Sequence, residues 1–200
     1  MLKRLLIFFV VHLLVITLVI NTYSEASESP WDVSPMRNGQ TILVLKTGNV
    51  TYGDTLMLIL NNYNGKCDQI QETFNFYTTT KNTEVKEIEG KNIPIKFNEH
   101  ELYAKASYVL PFLLGHRVMF SMGTYQVNEY LDYMSKYETY NVTIVDENLP
   151  SRVMQPHLIK NFNASDYFDV PNNSWDLKGV EEAIGKAQKL CLQYKESKIS

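Results

Sequence analysis

The chain has 200 residues, with 19 Lys and Arg against 22 Asp and Glu, for a formal net charge of −3. Thirteen Tyr and nine Phe in a chain that is 44% hydrophobic argue against a disordered sequence and favour a packed, β-rich one. A mildly acidic balance with no basic cluster is the wrong electrostatic footprint for nucleic acid or an anionic lipid surface.

Met1-Leu2-Lys3-Arg4 places two cations ahead of an apolar run from Leu5 to Ile20. Polar residues follow, and Ser24-Glu25-Ala26 sets small side chains at the positions a signal peptidase requires. Residues 1–26 therefore read as a secretory signal peptide, with Ser27 as the first mature residue. The competing reading is an uncleaved anchor, but sixteen helical residues span only ~24 Å of a ~30 Å hydrocarbon core. No cysteine near the cleavage point suggests a lipid anchor, and the polar end Lys195–Ser200 does not suggest a GPI signal. The expected product is exported, periplasmic or secreted, with no stable membrane span after cleavage. Lys3, Arg4 and Glu25 leave with the signal, so 17 basic and 21 acidic residues remain.

Residues 27–40, with two prolines, a glycine and three serines, read as an extended lead-in, with Trp31 placed to tuck onto the core. Residues 41–200 read as a single β-rich domain. Thr41–Lys46 and Thr55–Leu60 are short apolar strand-like runs separated by the turn signals Thr47-Gly48-Asn49 and Tyr52-Gly53-Asp54. Ile70–Thr80 sets Phe74 and Phe76 on one face of a strand, and the charged stretch 81–91 predicts an exposed turn. Two strands, 93–97 and 101–107, flank Asn98-Glu99-His100, and Pro94 predicts that its strand lies at a sheet edge. Tyr108–Gly115 predicts a turn or two of helix, and 116–122 a further strand.

Tyr125–Val145 fits two templates. Its β-branched second half favours a hairpin turning near Ser135-Lys136, whereas Val127, Tyr130, Met134 and Tyr137 also keep helical spacing. The hairpin is the reading adopted. Residues 146–173 predict loops. The clearest helix is 176–194, with an apolar stripe of Leu177, Val180, Ala183, Ile184, Ala187, Leu190, Cys191 and Tyr194. The fold class is therefore α+β, mostly antiparallel β and sandwich-like, with a C-terminal amphipathic helix. No internal repeat is present.

Cys67 and Cys191 remain after export, and an oxidising compartment favours their pairing into one disulfide over free thiols or bonds to another chain. Chemistry is otherwise sparse. Glu99-His100-Glu101 is the densest cluster of catalytic residue types, but strand alternation would split it across two faces, and a solvated turn explains it. His116 and His157 lack metal-ligand spacing, and no nucleophile elbow, phosphate loop or dinucleotide motif occurs. Catalytic, metal and cofactor-binding residues are accordingly not assigned. Tyr125, Tyr130, Tyr133 and Tyr137 form the candidate binding surface, because tyrosine offers contact area at low entropy cost. The expected partner is a protein or a cell-envelope component. An exported hydrolase using carboxylates or His100 is the alternative. Asn49, Asn141, Asn163 and Asn172 open triplets with the form of N-glycosylation acceptors.

The tail Asn173-Ser-Trp-Asp-Leu-Lys-Gly-Val-Glu-Glu-Ala-Ile-Gly-Lys-Ala-Gln-Lys-Leu-Cys191 resembles the ending of small exported bacterial proteins of the invasion-associated locus B type. They share an aromatic-x-leucine-x-glycine step, a helix and a cysteine, and Tyr108–Met122 fits the same layout. The resemblance covers about a third of the chain, and the stretches 81–100 and 146–172 depart from it. It implies a periplasmic β-sandwich without an assigned molecular activity.

Overall fold

The computed structural model describes residues 31–37, 40–62, 65–79, 83–147, 157, 159 and 161–196. The signal peptide reading of residues 1–26 lies outside them. From Trp31 onward the chain forms one compact unit, built on a nine-stranded antiparallel sheet. The strands are β1 (Asp32–Pro35), β2 (Thr41–Thr47), β3 (Thr55–Asn61), β4 (Gln69–Thr79), β5 (Asn92–Phe97), β6 (His100–Phe112), β7 (Gly115–Gln126), β8 (Thr139–Ile144) and β9 (Asn172–Asp176). Their order is β1-β2-β3-β4-β7-β6-β5-β8-β9. Among the described residues two α-helices accompany them, α1 (Val127–Met134) and α2 (Val180–Glu196).

The antiparallel, β-rich class is as expected, but the two-sheet sandwich is not. One sheet curls into a half-barrel, so that β9, its last strand, returns to the turn between β2 and β3. Alternation supplies the lining: Ile42 and Val44, Leu56, Leu58 and Leu60, and Phe74 and Phe76 all fall in core-facing rows and are almost fully buried. The centre of the core is aromatic. Phe74 stacks on Phe120 at 5.0 Å, and Trp175 of β9 meets Phe74 at 6.4 Å, Phe76 at 6.3 Å and Tyr140 at 5.8 Å. A two-sheet sandwich would build such contacts between layers; here curvature brings the strands of one sheet face to face.

Several local expectations change. The lead-in contains β1, paired along β2 from Asp32 opposite Leu45 to Pro35 opposite Ile42. The charged stretch 81–91 is not a plain exposed turn: Thr83–Ile88 is a 3-10 helix whose Val85 and Ile88, one turn apart, are fully buried. β5 is not an edge strand. The Pro94 carbonyl accepts from Val145 N at 3.1 Å, so its missing N–H faces the β8 side, where the β8 ladder has already ended at Ile95.

The expected helical turn at 108–115 is instead the end of a long hairpin, with Leu113 and Leu114 as its two-residue turn and Leu113 at φ +50°. Gly115 opens β7 where the Thr78 carbonyl passes too close to leave room for a Cβ. The hairpin expected at 125–145 is helix α1 followed by β8; Val127, Tyr130 and Met134, at helical spacing, are its buried positions. Residues 172–176 add an unexpected strand, and the final helix begins at Val180, after Gly179 at φ +79°.

Helix α2 packs across β1, β2 and β3 through Val180, Ala183, Ile184 and Ala187, all buried. Cys191 is bonded to Cys67 just before β4, with Cα atoms 6.1 Å apart. Two hydrogen bonds flank the bridge: Gln188 Nε2 donates to Cys67 O at 3.1 Å, and Asn62 Nδ2 to Cys191 O at 3.2 Å. The bridge spans a sequence separation of 124. Closing so long a loop stabilises by ~4–5 kcal/mol in the chain-entropy picture. Reduction is expected to raise the intact mass by ~2 Da. A Cys67→Ala/Cys191→Ala variant is expected to lose about 4 kcal/mol in urea titration.

Candidate functional site

Alternation in β4 places Glu72 in the same inward row as Ile70, Phe74 and Phe76, and it is 4% exposed. A carboxylate in that row needs donors. Tyr130, delivered by α1, donates its hydroxyl to Glu72 Oε1 at 3.1 Å. The buried hydroxyl of Tyr140, on β8, adjoins the same carboxylate outside strict hydrogen-bond geometry. Burial pushes the Glu72 carboxyl up to about 7, opposed by these tyrosine hydroxyls. Burial and then the Glu72 charge push the Tyr130 and Tyr140 phenols well above their ordinary range, so both remain protonated donors. The β4–β7 register shifts beside this site, between Glu72 opposite Gly123 and Thr73 opposite Ser121.

Of the four tyrosines expected to form a surface, Tyr130 belongs to the core, at 3% exposure. Tyr125 is 37% exposed, with its ring 5.9 Å from that of Tyr130. Tyr133 and Tyr137 are half-buried and converge on Phe97, at 5.9 and 6.0 Å, with 5.5 Å between their own rings. Phe97 in turn lies 4.5 Å from Tyr140. The aromatic set is therefore continuous from the buried carboxylate to a ridge beside α1, at the end of the sheet where β5 turns into β6.

Glu99-His100-Glu101 falls at that turn. Asn98, at φ +47°, and Glu99 are its two loop residues, and His100 opens β6. His100 Nε2 is 3.4 Å from the Tyr137 hydroxyl and 3.9 Å from Glu99 Oε1, with both Glu99 and His100 largely in solvent. Glu101 points elsewhere, into a groove of about 1120 Å³ lined also by Pro94, Leu102, Tyr103, Val145 and Glu147. His116 sits at the far end of the β6–β7 ladder, opposite Pro111. Glu99, Glu101 and His116 thus do not gather into one pocket. Among the described residues no group of three His, Cys, Asp or Glu side chains is placed to hold a metal ion. Asn49, Asn141, Asn163 and Asn172 are all on the surface; the side chain of Asn141 is bonded to Asn98, and that of Asn163 to Ser165 and Asp166.

No protein-family model, curated protein or solved structure matches the chain.

Sequence reasoning passed over Glu72. The signal was present: Ile70, Glu72, Phe74 and Phe76 alternate, and a glutamate interrupts an otherwise apolar row.

Glu72 binds its proton more tightly in the folded chain than in the unfolded one, where a value near 4.5 applies. Its contribution to stability is fully present below about pH 4.5 and is lost as the pH rises through about 7. The whole effect is on the order of 3 kcal/mol. Glu72→Gln, which cannot ionise, is expected to remove this dependence. Its urea midpoint, measured across that window, should gain on the parent's as the pH rises.

Proposed function

We propose that this chain is an exported binding protein, periplasmic or secreted, which engages a protein or cell-envelope partner through the ridge formed by Tyr125, Tyr133 and Tyr137. The observation that carries this reading is the convergence of Tyr133 and Tyr137 on Phe97, beside His100. Rings fixed by packing on a buried neighbour lose little freedom when a partner covers them. The Cys67–Cys191 bridge and the N-terminal signal pattern support an oxidising compartment outside the cytoplasm. The layout shared with exported proteins of the invasion-associated locus B type supports the same compartment.

A pull-down from the native envelope or culture medium tests the proposal. Tyr133→Ala/Tyr137→Ala is expected to weaken partner capture by roughly thirtyfold, about 2 kcal/mol, as for paired aromatic anchors elsewhere. Its circular dichroism should match the parent's. Undiminished capture by this folded variant would overturn the reading.

A further inference from the structure

The end of the β6–β7 ladder remote from the tyrosine ridge has a different character. Leu113 and Leu114, the two turn residues, are 85% and 81% exposed, and Tyr108 and Leu110 on β6 are also exposed. Leu113 holds φ +50°, a backbone region that favours glycine and strains a bulky side chain. Neither turn chemistry nor core packing calls for leucine there.

The turn between β2 and β3 lies alongside, with Val50 54% and Tyr52 91% exposed. Arg117 ties the two tips together: its guanidinium covers the Phe112 ring at 3.7 Å, and Nη2 donates to Gly53 O at 3.5 Å. Apart from this guanidinium between them, the two turns carry no charge of their own. No Asp, Glu, Lys or Arg occurs from Ala106 to His116, or from Thr47 to Gly53.

Strand addition is a poor use for this hairpin. β5 stops opposite Lys105, and beyond the backbone bonds of Ala106 to Gly90 and Lys91 the outer edge of β6 has no neighbouring strand among the described residues. With Phe112 and Gly115 closing the turn, alternation directs the Pro111 nitrogen to that free edge, where it has no hydrogen to donate. The apolar side chains at the tips, not the backbone edge, are what this end offers.

We infer that these paired tips dock on a lipid bilayer, inserting Leu113, Leu114, Val50 and Tyr52 among the headgroups and upper acyl chains. The chemistry of the tips favours lipid over a protein partner: two adjacent protruding turns with no charged residue of their own match the neutral hydrocarbon boundary, which cannot compensate buried charges. With 17 basic against 21 acidic residues after export, the docking is apolar rather than electrostatic, so it should not require anionic lipid.

The test uses the exported protein as it accumulates, with vesicles of phosphatidylcholine alone and of phosphatidylcholine mixed with phosphatidylglycerol. A Leu114→Trp reporter is read against the parent, whose Trp31 and Trp175 supply the background. Its added emission is expected to shift to the blue and to be quenched by phosphatidylcholine brominated near the headgroup. Leu113→Asp/Leu114→Asp is expected to lower vesicle partitioning by about tenfold or more, with an unchanged melting temperature because both side chains are exposed. Absence of quenching at position 114 would overturn the inference. So would an aspartate variant that partitions like the parent, or one whose only defect is lost capture of a protein.

Discussion

The half-barrel depends on a buried amide and a buried carboxylate that hold its two ends together. Asp54, at the base of β3, has no solvent exposure. It accepts from Tyr77 N at 2.6 Å and from Asn173 Nδ2 at 2.7 Å. Asn173 uses its full capacity: Nδ2 also donates to Thr51 O, while Oδ1 accepts from Val50 N and Ser174 N. Asn49 N to Ser174 O, at 2.9 Å, adds a backbone bond across the same junction. Gly48 leaves the space that the Asn173 amide occupies. Hydrophobic burial is non-directional and would tolerate many curvatures of this sheet. This cluster is directional and selects one, and Trp175 then falls among Phe74, Phe76 and Tyr140.

Two inward carboxylates therefore do different work. Burial pushes Asp54 up to about 6, but its donors and the nearby Arg117 guanidinium pull it back, so the ionised form suits the junction at neutral pH. Glu72 is buried among tyrosine hydroxyls, and burial lets it hold its proton up to about 7. One closes the sheet, whereas the other sits where α1, β4 and β8 meet beneath the aromatic ridge. Phe97, on which Tyr133 and Tyr137 pack, meets the Tyr140 ring that adjoins this carboxyl.

Most strands were legible because alternation is a local signal: Ile42 and Val44, Leu56 to Leu60, and Phe74 and Phe76 announce their rows. The stripe on α2 was legible for the same reason, and the pairing of Cys67 with Cys191 because the chain holds only these two cysteines. Curvature was not legible, because it rests on contacts such as Asp54 with Asn173, separated by 119 positions. In the sequence, Asn172-Asn173-Ser174 shows only the form of a glycosylation acceptor. Leu113 misled because leucine favours helices, and nothing local announces a left-handed backbone. Helix α1 was hidden by an ambiguity of period, which Tyr130 resolves by reaching Glu72. The tyrosine stretch was correctly singled out as unusual, but spacing alone could not separate the buried Tyr130 from the half-buried Tyr133 and Tyr137.

The strand order carries a consequence for how such a chain is made. β4 pairs with β7, not with β5, along eleven registered positions from Gln69 opposite Gln126 to Thr79 opposite Gly115. An N-terminus-first chain delivers β1 to β4 well before β7 has followed. Throughout that interval the outer edge of Gln69–Thr79, rich in Phe, Tyr and Thr, has no native strand to receive it. Such an edge is a template for pairing with another nascent chain. The central seam, the strongest part of the finished sheet by its length, is thus also the point at which synthesis leaves the molecule most open to aggregation. Any factor that shields extended aromatic segments would act at this stage, before the disulfide to Cys191 can form.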